Sequence, residues 1–124
     1  MNVVDSSGWL EYFADGKNDS FFEPPILKTT ELLVPTISLY EVFKKVYQLK
    51  GESEALVVVA LMQQGTVVNL DASLAFSAAR ISAESSLSMA ESIILASARA
   101  SDAVLWTQDR DFDGMDGVRY IHAA

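Results

Sequence analysis

Cysteine is absent from the 124 residues. A disulfide scaffold, a thiolate zinc site and a cysteine nucleophile are thereby excluded. Histidine occurs once, at His122. A zinc site built on several histidines is therefore excluded, and a Ser-His-Asp triad would rest on one residue near the C-terminus. Basic residues are few: nine Lys and Arg stand against 17 Asp and Glu, for a net charge of −8. Proteins that grip duplex DNA by its phosphates are basic as a rule, so any nucleic-acid role must work through a local site. Long apolar runs are also lacking. The longest, ALVVVALM over 55–62, has eight residues and cannot span a bilayer. The opening MNVVDSSGW holds neither a basic region nor a long apolar run and does not read as a signal peptide. The expectation is a soluble, cytoplasmic protein with no membrane partner.

What is present describes a globular chain. Half of the residues are apolar and 21% are charged, a balance that folds rather than stays disordered. The length suits a single domain over 1–124. A chain of this size buries roughly two thirds of its unfolded surface, enough for a core without staples.

Short apolar runs at 2–4, 32–34, 66–70, 103–106 and 118–121 read as strands. Between them lie helical stretches. Ser6 and Ser7 offer N-cap oxygens for a helix through Trp9, Leu10, Tyr12 and Phe13, stopped near Gly16. Residues 18–28 make a short, broken helix at best, because Pro24 and Pro25 interrupt it. Thr36 or Ser38 caps a long helix to about Lys50, and further helices fill about 52–64, 72–84 and 88–100. Strands alternating with helices predict an α/β fold with a mainly parallel sheet of four to five strands. Ligands of such folds bind outside the carboxyl ends of the strands. Function is to be sought just after residues 4, 34, 70 and 106.

Several acids are oddly placed for that fold. Asp5 directly follows the first strand, where a turn or cap role is the plain alternative. Glu41 lies on the long helix; an exposed ion pair with Lys44 or Lys45 is its ordinary explanation. Glu91 has Leu87, Ser88, Ile94 and Leu95 as helical neighbours. A carboxylate on so apolar a stripe needs a helix end, a cleft or a cation. Ser88 three residues earlier offers a capping box as the structural alternative. Asp109, Asp111, Asp113 and Asp116 crowd the segment after the fourth strand, with only Arg110 in opposition. Such density favours a bound cation or full solvation. Carboxylates without histidine or thiolate suit hard cations, Mg²⁺ or Mn²⁺. The main use of such a set is phosphoryl chemistry, which needs no protein nucleophile.

The segments VVDSSGWLEYF, SLYEVFKK, MAESIILASA and LWTQDRDF fall in this order along the chain. Together they resemble the PIN-domain family, in particular the VapC-like ribonuclease toxins of bacterial toxin–antitoxin pairs. The resemblance covers essentially the whole chain. It implies a three-layer α/β/α sandwich and a metal-dependent endoribonuclease that leaves a 5′-phosphate and a 3′-hydroxyl. By motif position it implies Asp5, Glu41, Glu91 and Asp109 as catalytic acids. Asp5, Glu91, Asp109 and Asp111 would hold one or two Mg²⁺ or Mn²⁺ ions, with Thr107 an accessory hydroxyl. At position 91 the sequence departs from the pattern, since the family usually has Asp there. Glu is one methylene longer, and octahedral Mg²⁺ demands near-ideal distances. The resemblance also implies an RNA substrate, a homodimer, and a cognate antitoxin whose tail reaches the acidic site through a groove. Trp9, Phe13, Phe21 and Phe22 are the candidates for that groove, with plain core packing as the alternative for each. Lys44, Lys45 and Arg110 are candidates to guide an RNA backbone, or are ordinary surface charge.

Other readings remain open or fall on the residues. A PIN-like fold without catalysis, serving only as a binding module, draws its support from Glu91. A calcium module over 109–120 matches D-x-D-x-D-G at its start, but Tyr120 stands where a bidentate Glu belongs and a strand precedes it. A phospho-receiver needs a Lys after its last strand, whereas all five lysines lie at or before residue 50. Neither GxGxxG nor GxxxxGK[ST] occurs, which removes dinucleotide and P-loop readings.

Overall fold

The apolar runs form five short strands, and every crossover between the first four is helical. In chain order the elements are β1 (Asn2–Val4), α1 (Ser6–Phe13), α2 (Asp19–Leu27), β2 (Leu32–Pro35), α3 (Thr36–Lys50), α4 (Glu52–Met62), β3 (Thr66–Val68), α5 (Ala72–Ala83), α6 (Met89–Ala100), β4 (Val104–Thr107) and β5 (Val118–Tyr120). Two 3-10 turns, Thr29–Glu31 and Arg110–Phe112, complete them. The structure is a computed structural model and describes residues 1–123. Ala124, the last residue of the expected domain, lies outside the described residues.

All strand pairs are parallel, in the order β3-β2-β1-β4-β5. Alternation along each strand sorts side chains to two faces. Val3 pairs with Leu33 on one side and Leu105 on the other. These three join Leu87, Ile94, Leu95 and Ala98 in one core. Val4, Leu32 and Val34 point the opposite way, into a core with Trp9, Phe22, Val42, Val46, Val58 and Met62. Helices α1 to α4 thus cover one face and α6 the other. Leu74 and Ala78 of α5 pack on Ile93 and Ala96 of α6. The result is the expected three-layer α/β/α sandwich around a parallel sheet.

The topology singles out one place. From β1 the chain steps outward to β2 and β3, then returns to the far side of β1 as β4. The crossovers change face at that return. Such a switch point opens a crevice outside the carboxyl ends of the two strands that flank it. Here those strands are β1 and β4, followed by Asp5 and by Gln108–Asp109.

Several element details differ from the sequence expectation. The N-cap of α1 is Asp5, the cap role weighed as its plain alternative, and not Ser6 or Ser7, which already lie in the helix. Helix α2 runs unbroken through Pro24 and Pro25. The prolines cannot donate to the carbonyls one turn back. Burial of Phe22, Pro25 and Ile26 on the core face holds the helix together regardless. Neither Thr36 nor Ser38 caps α3: Pro35 ends β2 and is itself the N-cap residue, without a side-chain bond. Gly51, with φ of +89°, takes the left-handed turn that lets α4 follow α3 directly. No helix among the described residues is long and apolar enough to cross a membrane.

Candidate metal centre and active site

Asp5 is only 3% exposed, at the point where β1 ends and α1 begins. As N-cap it accepts the Gly8 N–H on Oδ1 at 2.9 Å. The Ser7 hydroxyl donates to the same oxygen at 2.8 Å. Thr107, wholly buried at the end of β4, donates its hydroxyl to Oδ2 at 2.7 Å. Burial nevertheless pushes the Asp5 carboxyl up to about 6, against these three hydrogen bonds, and the nearby Asp109 charge adds to the rise. A buried acid raised by desolvation, outside the carboxyl end of a strand at a switch point, is the arrangement in which a functional site is sought.

Thr107 also organises the next acid. Its oxygen accepts the Asp109 N–H at 2.9 Å, and Asp109 Oδ1 in turn accepts the Asp111 N–H at 2.9 Å. This local bonding starts the 3-10 turn Arg110–Phe112, whose Phe112 is anchored in the core. The turn brings Asp109 and Asp111 toward the start of α6. There Glu91 performs two jobs at once. It completes a capping box: Oε1 accepts the Ser88 N–H at 2.8 Å, and the Glu91 N–H reaches the Ser88 hydroxyl at 3.2 Å. It also offers an oxygen to a group with Asp109 and Asp111, in which all three carboxylate oxygens lie within 4.8 Å of one another. Desolvation, with Asp109 and Asp111 alongside, pushes Glu91 up to about 7 despite the Ser88 bonds. The capping box weighed for Glu91 is thus present, and the same side chain also reaches the acids after β4.

Glu41 joins from a different direction. It is half-buried on α3, and the Ser6 hydroxyl donates to its Oε1 at 2.6 Å. Ser6 adjoins Asp5, so the contact ties α3 to the site edge. Glu41 lies outside the three-acid group. Asp113 and Asp116 also lie outside it and are exposed.

Oxygen donors alone make up this set, with no histidine or thiolate. A hard divalent cation fits it. Asp109, Asp111 and Glu91 supply the close group, and Asp5 stands behind them through Thr107.

One rival falls as its residues foretold, and one expectation is corrected. The calcium module over 109–120 lacks its entering helix, since Val104–Thr107 is strand, and Tyr120 lies in β5. Of the four groove candidates, Trp9 and Phe22 are 1% and 0% exposed and belong to the core. Phe13 and Phe21 are half-buried at its margin. Phe13 does line an apolar groove, with Leu10, Val46, Leu49 and Val58, flanked by Lys45 and Lys50. Sequence reasoning missed the serines and one amide. Ser6 and Ser7 each hold an acid, which the DSS string hinted at. Asn18 donates to Gln108 Oε1 at 2.9 Å and to the His122 carbonyl at 3.0 Å, pinning the residue between Thr107 and Asp109. No local pattern announced that link.

Comparison with known proteins agrees with this fold. A search of the curated proteins finds no match. Among solved structures, a toxin–antitoxin complex from Klebsiella pneumoniae is similar at TM-score 0.78 and 21% identity, over 96% of each chain. VapC20 of Mycobacterium tuberculosis, a toxin that cleaves the sarcin-ricin loop, is similar at TM-score 0.76 and 18% identity, over 96% of this chain and 99% of that one. DNA-bound VapBC from Salmonella typhimurium is similar at TM-score 0.75 and 19% identity, over 98% of both chains. At these identities the likeness is one of fold. The family model described as PIN domain matches residues 3–118, and with nearly the whole chain so matched, this protein belongs to the PIN domain family.

Proposed function

We propose that this chain is a metal-dependent endoribonuclease, the toxin of a toxin–antitoxin pair, acting in the cytoplasm as a single PIN-like domain. One observation carries the reading: acids far apart in sequence meet at the switch point between β1 and β4. Asp5, Glu91, Asp109 and Asp111 would hold Mg²⁺ or Mn²⁺. When bound, the ion supplies positive charge against the charge building on a phosphodiester, and makes water acidic enough to attack at neutral pH. The chain's own residues do the positioning. Gly8, Ser7 and Thr107 fix the Asp5 carboxylate, and Ser88 fixes one oxygen of Glu91. Glu41 is held by Ser6 at the site edge, where it can orient substrate or water.

The partners follow from the same reading. The solved relatives include toxin–antitoxin complexes. An antitoxin segment with a basic tail suits the net charge of −8, and an Arg or Lys side chain suits the acidic pocket. The apolar groove beside Phe13 is where its apolar residues would lie. We further propose a homodimer.

The test is RNA cleavage by the purified chain with Mg²⁺ or Mn²⁺, and with chelator. The expected result is metal-dependent cutting that Asp5→Asn and Asp109→Asn each abolish with an unchanged circular dichroism spectrum. Cutting by both variants at the parent rate would remove the assigned site. A folded chain that cuts under neither metal would favour the binding module, in which the longer Glu91 spends itself on its cap.

A further inference from the structure

Charge is unevenly spread over this acidic chain. Helix α3 carries Lys44, Lys45 and Lys50 against one carboxylate, Glu41. It is a basic helix in a protein of net charge −8. Folding also leaves two of its large aromatic rings uncovered: Tyr40 is 61% exposed and Tyr47 52%. Tyr40, Lys44 and Tyr47 follow one another at spacings of four and three, on one stripe of the helix. The Lys44 ammonium lies 6.0 Å from the centroid of the Tyr40 ring. The core face of α3 is instead Val42 and Val46, so neither tyrosine is needed to build the interior.

This stripe adjoins the acidic site. Tyr40, Glu41, Lys44, Lys45 and Gln48 line a shallow recess of about 230 Å³. Glu41 belongs to both places: it walls the recess and takes the hydroxyl of Ser6, the neighbour of Asp5. An exposed ring beside ammonium groups is the combination that holds single-stranded nucleic acid. The ring face stacks a base and the cation meets the phosphate. The recess beside this ring is polar, with two ammonium groups, Lys44 and Lys45, and Gln48 against the single carboxylate of Glu41.

We propose that Tyr40 stacks a base, and that Lys44 and Lys45 hold backbone phosphates, of a single-stranded RNA that leaves the acidic site along α3. The inference rests on the nuclease reading for its substrate and names the part of the strand beside the scissile bond. Tyr40 is a binding residue in it and takes no part in the chemistry.

Fluorescence anisotropy with a short, labelled, single-stranded RNA and the full chain in EDTA tests this without cleavage. Tyr40→Ala should weaken binding about tenfold. Tyr40→Phe, which keeps the ring face, should stay within about twofold. Lys44→Gln should weaken binding and lower the salt slope by about one phosphate contact. Any of three results overturns the proposal: no measurable binding by the unaltered chain, parent-like binding by Tyr40→Ala, or equal losses in Tyr40→Ala and Tyr40→Phe. In the second case, a change of oligomeric mass in Tyr40→Ala would mark the ring as a protein contact. Cleavage assayed in parallel keeps the two readings apart. Tyr40-dependent binding without any cleavage removes the nuclease reading and leaves the track. Cleavage sensitive to Asp5→Asn, with binding indifferent to Tyr40, removes the track and leaves the nuclease.

Discussion

Thr107 donates its hydroxyl proton to Asp5 Oδ2 at 2.7 Å, joining two strand ends that lie 102 residues apart in sequence. Its oxygen simultaneously accepts the Asp109 N–H. Thr107 is wholly buried, so water cannot replace either bond. Thr107→Val keeps the shape and removes both. An unsatisfied buried group costs about 1–3 kcal/mol. The lost bond is also the strongest of those that lower the Asp5 carboxyl, which should then rise further. Urea unfolding should place Thr107→Val about 1–3 kcal/mol below the parent, with Thr107→Ser close to it. Equal stability of Val and Ser variants would mean that the hydroxyl is not holding the acids.

Asp5 makes stability depend on pH in an unusual direction. Its ordinary value is 3.8, and burial raises it to about 6 in the fold. Between those values the folded chain keeps a proton that the unfolded chain has lost. Stability conferred by the protonated form is therefore lost as pH rises through this window. Above pH 6 the buried charge costs on the order of 3 kcal/mol. Asp5→Asn carries no charge and still accepts the Gly8 N–H, but its amide NH₂ replaces the oxygen that takes the Thr107 hydroxyl, a loss that does not vary with pH. In chelator the parent should therefore lose about 3 kcal/mol more than the Asn variant between pH 4 and pH 8. Parallel pH profiles for the two would show that Asp5 is not a strained charge.

The sequence made the architecture legible because buried parallel strands are short apolar runs between helical periods. It was less informative at element boundaries. Asp5 outcompeted two serines as cap because its carboxylate reaches the Gly8 N–H while Ser7 adds its hydroxyl to the same oxygen. Pro24 and Pro25 read as breakers, and only the burial of Phe22 and Ile26 explains why α2 continues. At the site, residue type announced the acids but not their grouping. Glu91 meets Asp109 because a 3-10 turn folds back on α6, a long-range fact. Glu41 lies outside that group and is held by Ser6. Aromatic residues near the N-terminus looked like a groove, whereas Trp9 and Phe22 fill the core because the sheet face above them needs covering.

Gly8 links that core to the site. A Cβ at this position would stand 2.5 Å from Phe22 Cε1 and 2.8 Å from Val4 Cγ1. Both neighbours are fully buried, so neither can move aside cheaply. Overpacking of this kind costs about 1–3 kcal/mol. Since the Gly8 N–H holds Asp5 Oδ1, the strain passes directly to the acid. Gly8→Ala should lose about 1–3 kcal/mol in thermal or urea unfolding, and should bind Mn²⁺ more weakly than the parent. Parent-like unfolding would mean that α1 can shift away from α2 at no cost.

Glu91 allows its two jobs to be separated. Gln at this position accepts the Ser88 N–H as well as Glu does, since either completes a capping box. Glu91→Gln should therefore keep the stability of α6, whereas Glu91→Ala should lose about 0.5–2 kcal/mol with the cap. Both variants remove a carboxylate from the group with Asp109 and Asp111, so both should bind Mn²⁺ poorly. The parent should bind the ion with release of protons, because Glu91 is raised to about 7 and Asp5 to about 6 and both must ionise to ligate. Its affinity by calorimetry should thus climb between pH 5.5 and 8, and the climb should shrink in Glu91→Gln. If Glu91→Gln instead bound Mn²⁺ like the parent with the same pH profile, the capping box would be the whole role of this residue, and the metal would have to be held by the strand-end aspartates alone.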